Sequence, residues 1–184
     1  DSNLFHTREE LESEGFQMVG NRFVGGGEMY LPMHEGRLGH QYNHRFAVEP
    51  KGELHEVGIS EVKDPYFLTE PQYFVKAEEV YERLEDWDPC CKTGMLGHRR
   101  VSRSTDERTS IASLLPYGAA SYGWILSVGP KATDLALLTS GYNSFVFDYL
   151  LRNKLSQPSI PLSTFEQLPI PPPDKYTSAA IEYI

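Results

Sequence analysis

Cysteine is nearly missing from this 184-residue chain: there are two, Cys90 and Cys91, side by side. Neighbouring cysteines rarely close on each other, because the bridge strains the peptide between them. No C-x-x-C spacing offers a zinc or redox motif. Both residues are expected to be free thiols in a reducing cytoplasm. A chain of this length buries roughly 70% of its unfolded surface, so it needs no disulfide to hold a core. No apolar run approaches the ~20 residues that cross a bilayer. The stretch Asp1–Glu10 has neither the basic start nor the apolar run of a signal peptide. With no initiator Met, it is expected to begin inside a longer chain.

Positive charge is also scarce. Against 26 Asp and Glu stand 17 Lys and Arg, a net charge of −9, which argues against nonspecific attraction to nucleic acid. The deficit is local, however. Residues 49–91 hold 12 acids and 4 bases, whereas residues 92–108 hold Lys92, Arg99, Arg100, Arg103 and Arg108 against Asp106 and Glu107. Alone, such a cluster is a solvated face.

What is present is the composition of a globular protein: 40% hydrophobic and 12% aromatic. Thr7 and Glu10 stand at the N-cap and N3 positions of a capping box, and Gly15 ends that helix. Residues 16–19 and 21–24 form strands around Gly20-Asn21, and Gly25-Gly26-Gly27 turns the chain into a third strand at 28–33. Residues 50–71 are polar and broken by proline, with one expected strand at 56–62. A helix is expected at 76–85, where Val80, Tyr81 and Leu84 share a face. Strands follow at 95–102, 110–115 and 122–128, the first two joined by the polar turn 103–109. Helices at 132–138 and 142–155 are separated by Ser140-Gly141, and the proline-rich run to Pro173 closes the sequence. Strands first and helices later predict an α+β fold, a mostly antiparallel or mixed sheet with a few packed helices. A single domain over 1–176 with a tail at 177–184 is expected.

Phe23–Gly27 fits a loose F-x-G-x-G cofactor pattern, and Asp64–Phe67 is like the catalytic loop of amino-methyltransferases. A cofactor loop must leave a parallel strand and enter a helix. Here the glycines enter Glu28–Pro32, a strand, so a hairpin turn is expected instead. His34, His40 and His44 approach metal-ligand spacing, but Gly36, Gly39 and Asn43 interrupt any helix that would align them, so no metal is expected. No G-x-S-x-G elbow exists. The acid pairs Glu78-Glu79 and Glu85-Asp86 lie on an exposed helix face.

Three segments carry the functional reading. Tyr30–Ala47 resembles a family pattern close to YLPLYEAKMIHQFDHRFA. The run Arg103-Ser-Thr-Asp-Glu-Arg-Thr-Ser-Ile-Ala112 resembles RSTNERTxIA. Asn143–Tyr149, with Gln167–Pro171 downstream, resembles a closing NSFVFDY…QLPxxPP pattern. Together, over roughly residues 3–176, they resemble the region after the catalytic domain in type IIG restriction–modification enzymes, large adenine-specific DNA methyltransferases with a TaqI-like C-terminal specificity domain. Gly39, Asn43 and Asp106 depart from the pattern, standing for an apolar residue, an acid and an amide. The resemblance implies a target-recognition domain that binds double-stranded DNA. It implies a separate methyltransferase domain as partner, which holds S-adenosylmethionine and methylates adenine N6. No catalytic residue and no cofactor are expected within these 184 residues.

Guanidinium groups pin phosphates or bind guanine O6 and N7 bidentately. The expected DNA contacts are therefore Arg99, Arg100, Arg103 and Arg108, with Arg37, Arg45 and Lys92 secondary. The competing expectation is internal ion pairing, with Glu35 and Glu107 as partners and Arg45 as structural. Two rival functions remain. One is a protein-interaction module whose acidic face meets a basic partner. The other is a catalytic methyltransferase.

Overall fold

A computed structural model describes residues 2–85, 94–129 and 131–183. Cys90, Cys91 and Lys92 lie outside the described residues. The fold is α+β, with antiparallel sheets flanked by helices, as the order of elements predicts.

The first half builds one sheet. Strand β1 (His6–Thr7) leads into helix α1 (Arg8–Ser13), where the Thr7 hydroxyl accepts from the Glu10 amide and the Glu10 carboxylate accepts from the Thr7 amide, the reciprocal capping box. Strands β2 (Gln17–Val19), β3 (Arg22–Gly25) and β4 (Glu28–His34) form successive hairpins. Between Gly25 and Glu28, Gly26 and Gly27 take φ +59° and +84°. Two left-handed central residues match the strand twist of a tight hairpin, so the glycines turn the chain back and open no helix.

Strands β5 (Ala47–Val48) and β6 (His55–Glu56) pair as a small ribbon. Beyond it the expected strand at 56–62 is corrected: Ile59–Val62 is the short helix α2. The Gly58 amide donates to the Glu61 carboxylate at 2.8 Å, closing a turn that a strand would leave open. Strand β7 (Tyr73–Lys76) then inserts between β1 and β4, and helix α3 (Ala77–Leu84) buries Val80 and Leu84 while Tyr81 stays largely exposed.

The second half builds a three-stranded sheet in the order β11-β8-β9, from β8 (Met95–Arg99), β9 (Ala112–Leu115) and β11 (Trp124–Ser127). The short β10 (Ala119–Ala120) runs parallel to the end of β4 and ties the two sheets together. Side chains alternate along β8. Met95 packs with Leu115, Trp124, Leu31, Val75 and α3, while Leu96 packs with Ala112 and Leu135. With cores on both faces, β8 is buried from Met95 to His98 rather than at alternate residues.

Helix α4 (Ala132–Tyr142) lies over Leu96 and Ala112, and α5 (Phe145–Lys154) follows. The expected break at Ser140-Gly141 is shifted: both stay helical and the chain turns at Asn143–Ser144. Ser144 caps α5, accepting from the Phe147 amide. Phe147, Leu151, Ile160, Phe165 of α6 (Leu162–Phe165) and Leu168 form a further core. Ser178–Tyr183 is a last short helix, α7.

Candidate nucleic-acid interface

Strand register gathers several loops at one end of the three-stranded sheet. Arg99 pairs with Trp124 and His98 with Ala112. The loop 100–111 and the turn 121–123 therefore leave the sheet at the same end. The turn 35–39 packs onto them, so closely that a β-carbon on Gly36 would stand 2.7 Å from the Gly123 carbonyl oxygen. Arg99 fixes that contact. Its guanidinium donates to the carbonyls of Gly36 at 3.0 Å and Gly39 at 2.6 Å. Burial lowers its pKa, against the pull of the Asp106 charge.

The 103–109 loop is closed from within. The Asp106 carboxylate accepts from the Arg103 amide at 2.8 Å, and the Thr109 hydroxyl donates to the Arg103 carbonyl at 3.0 Å. From α5, Arg152 donates to the carbonyls of Ser104, Asp106 and Glu107. Asp148, one turn earlier, accepts from the amides of Thr109 at 2.7 Å and Ser110 at 2.8 Å and pairs with Arg152 at 3.0 Å. Burial pushes the Asp148 carboxyl up. The Ser110 amide, Arg152, the Thr109 amide and the charge of Arg108 outweigh it and hold the group below the usual range. The Asn143 side-chain amide completes the seam, pairing with both the amide and the carbonyl of Ala112. Two of the sequence motifs, Arg103–Ala112 and Asn143–Tyr149, are thus halves of one clamp.

The clamp and its neighbours give the arginines expected at DNA unequal surroundings. Arg108 is only 13% exposed; it donates to the Asn143 carbonyl, lies over the Phe145 ring at 4.6 Å and sits 3.5 Å from Asp148. Arg99 is a half-buried staple. Arg45 donates to the carbonyls of Val62, Asp64 and Phe67, holding the loop after α2. These three serve the fold, because each guanidinium satisfies otherwise unpaired polar groups. Arg37 is intermediate: 49% exposed, it hydrogen-bonds Glu35 at 2.9 Å and stands 2.8 Å from Glu49 without the alignment of a hydrogen bond. Burial pushes the Glu49 carboxyl up, with Arg37 pulling against it. Arg100 lies over the Tyr122 ring at 4.1 Å. Arg103 is exposed, and its guanidinium has no partner among the described residues. Lys92 lies outside them. A ridge of four free arginines is therefore not built. Arg103 projects alone from the clamped loop, with Arg100 on Tyr122 and Arg37 nearby.

Compared with known proteins, the chain matches no family model, no curated protein and no solved structure. The chemistry of the site therefore has to come from the loops themselves. Between them opens a cleft of about 350 Å³ lined by Glu35, Arg37, Arg99, Val101, Ser121 and the backbone of Gly36 and Gly123. A guanidinium unpartnered among the described residues and another on an aromatic face suit an anionic, planar-faced ligand. Among the described residues no cluster of His, Cys, Asp or Glu could hold a metal. His34 bonds the Pro116 carbonyl at 2.9 Å instead of joining His40 and His44. The Asp64–Phe67 loop is a turn in which the Asp64 carboxylate accepts from the Tyr66 amide.

Sequence reasoning read 142–155 only as a helix and so missed Asp148, Asn143 and Arg152 as the builders of the loop. A polar Asn and a lone Asp inside an otherwise aromatic helix start were the available signal, since buried polar groups need partners.

Proposed function

We infer that the chain is a DNA target-recognition module serving an adenine-N6 methyltransferase of a restriction–modification system, with no catalysis of its own. The observation that carries this reading is the 103–109 loop. It is fixed on its inner side by Arg152 and Asp148, and it presents on its outer side Arg103, whose guanidinium has no partner among the described residues. A preformed loop loses little freedom on binding, so its contacts convert into affinity and selectivity. The resemblance of three segments to type IIG specificity domains supports the same reading. Arg103 is assigned to a phosphate or to a guanine edge, with Arg100 and Arg37 flanking it. The outer face of α5, where Phe145, Val146 and Tyr149 are exposed, is the surface for the methyltransferase domain. S-adenosylmethionine belongs to that domain.

The test is salt-dependent retention on duplex DNA. Wild type is expected to bind with an affinity that falls as salt rises. Arg103→Ala should lower the salt slope by about one unit if it meets a phosphate, or cost ~1–3 kcal/mol on one sequence only if it reads a base. No retention of wild type at low salt sinks the reading.

One observation favours the rival interaction module. In the acidic stretch after Glu49, Leu54, Ile59, Tyr66 and Leu68 are exposed. Apolar residues rimmed by like charge mark a protein contact. On that reading a basic protein, not DNA, is retained, and Arg103→Ala leaves its capture unchanged.

A further inference from the structure

Arg100 and Tyr122 stand in two loops that the main chain holds side by side. The Arg100 amide donates to the Gly123 carbonyl at 2.9 Å, and the Arg100 carbonyl accepts from the Ile160 amide at 2.8 Å. Tyr122 and Gly123 are the central residues of a turn that the Trp124 amide closes on the Ser121 carbonyl at 3.1 Å. The Ser121 amide ties that turn to the His34 carbonyl at 2.9 Å, and Gly36 packs against Gly123. Both backbone positions are therefore set by main-chain bonds and close packing, independent of either side chain.

The two side chains then meet each other. The Arg100 guanidinium carbon stands over the Tyr122 ring, 4.1 Å from its centroid. The Arg100 Nε is buried and has no hydrogen-bond partner among the described residues. It is out of reach of a ligand, so the edge left to offer is the far one, with the two terminal nitrogens. Neither of these has a partner among the described residues, and the residue as a whole is half-buried. Arg99 and Arg108 differ, since carbonyls take up their donors. Arg103 differs in the other sense, since no described group orients its side chain. Among these four, Arg100 alone combines unpartnered terminal donors with a ring that orients them. A ring against a guanidinium favours one setting of its plane, a constraint that a point charge such as an ammonium cannot use.

We propose that Arg100 selects a guanine in the bound duplex and that Tyr122 is its positioning residue. This rests on the DNA reading above and deepens it by naming the base and the residue that chooses it. The terminal nitrogens of one guanidinium match the O6 and N7 acceptors that guanine alone presents in the major groove. Those acceptors lie in the plane of the base, so a guanidinium whose plane is already set meets them at a small ordering cost. A phosphate carries no sequence information and accepts a cation from many directions, so a set plane adds little there.

The experiment selects from a random-sequence duplex pool with the whole chain and sequences what is retained. Wild type is expected to enrich a site with a fixed guanine, and 7-deazaguanine there, which lacks N7, should weaken retention. Arg100→Lys keeps the charge and loses the fork. It should retain duplex overall as wild type does, while its preference for that guanine over adenine falls on the order of 5- to 150-fold. Substitution by 7-deazaguanine should no longer matter to it. Tyr122→Phe keeps a ring and should select as wild type does. Tyr122→Leu should lose about 2- to 5-fold of the preference at an unchanged Tm, because the ring is 66% exposed. The proposal is overturned if Arg100→Lys enriches the wild-type site, or if 7-deazaguanine weakens wild type and Arg100→Lys alike. A lowered Tm of Tyr122→Leu makes the ring a packing residue, and selection unchanged in that variant, or lost equally in Tyr122→Phe, also removes the positioning role. Wild type that retains no duplex removes the DNA reading, and this proposal with it. Wild type that retains duplex without selecting a guanine removes this proposal alone.

Discussion

Asp148 receives two backbone amides and one arginine hydrogen bond, with a second arginine beside it, while only 8% of its side chain is exposed. Replacing it with alanine leaves the Thr109 and Ser110 amides buried without their acceptor and the Arg108 guanidinium without the charge beside it. Asp148→Ala is therefore expected to cost ~3–5 kcal/mol in urea denaturation; a cost under ~1 kcal/mol would show that the clamp is incidental. Arg103→Ala, by contrast, should leave stability within ~0.5 kcal/mol, because no described group depends on that side chain. The pair separates the roles that sequence reasoning merged. Five bases in residues 92–108 are visible as a cluster in the sequence. Which of them are free is not, because the partners of Arg108 and Arg99 come from Asp148, Asn143, Gly36 and Gly39, each distant in sequence and brought close only by strand register.

At the scale of elements, what can be read early is what is decided locally. The Thr7–Glu10 capping box, the hairpins at Gly20 and at Gly26-Gly27, and the apolar face of α3 each depend on a few adjacent residues. The misreadings have non-local causes. Gly141 tolerates a helix because α4 packs across Leu96 and Ala112, and Asn143 ends that helix because its amide goes to β9. The parallel pairing of β10 with β4 spans residues 33–34 and 119–120 and leaves no periodic trace. The clamp between α5 and the 103–109 loop makes its own prediction. Arg152→Ala withdraws the donor to three loop carbonyls without touching the outer surface. The Asp106 amide, bonded to the Arg103 carbonyl at 3.2 Å, should then exchange its hydrogen faster, and on the proposed DNA reading affinity for duplex DNA should fall although Arg152 lies on the inner side of the loop. Unchanged exchange at Asp106 would mean that the loop holds itself.

Across the whole molecule, packing buries one histidine in each of the two larger sheets. His98 of β8 stacks on Phe165 with ring centroids 3.7 Å apart, and neither ring nitrogen has a hydrogen-bond partner among the described residues. Burial alone pushes its pKa down to about 3. His34, at the end of β4, is pushed down to about 4, again by burial, with its bond to the Pro116 carbonyl opposing and the charge of His44 adding. The ordinary value for both is 6.5. As pH falls below 6.5 the unfolded chain takes up protons that the folded chain refuses, so the unfolded state binds more protons and stability drops. Each histidine contributes a slope of about 1.4 kcal/mol per pH unit. The contribution of His34 ends near pH 4 and that of His98 near pH 3. Asp148, held below its usual range, adds a further loss only under still more acidic conditions, as pH falls below about 4. Urea denaturation at pH 7 and pH 5 should therefore give a clear loss of stability over a range in which carboxylates change little. His98→Leu, which fills the same space without a titrating ring, should remove part of that slope, leaving His34 and the burial-lowered His40 and His44 to supply the rest. If His98→Leu and wild type lose stability in parallel between these two pH values, the His98 ring is hydrated in solution, and the stacked core against Phe165 is looser than its geometry indicates.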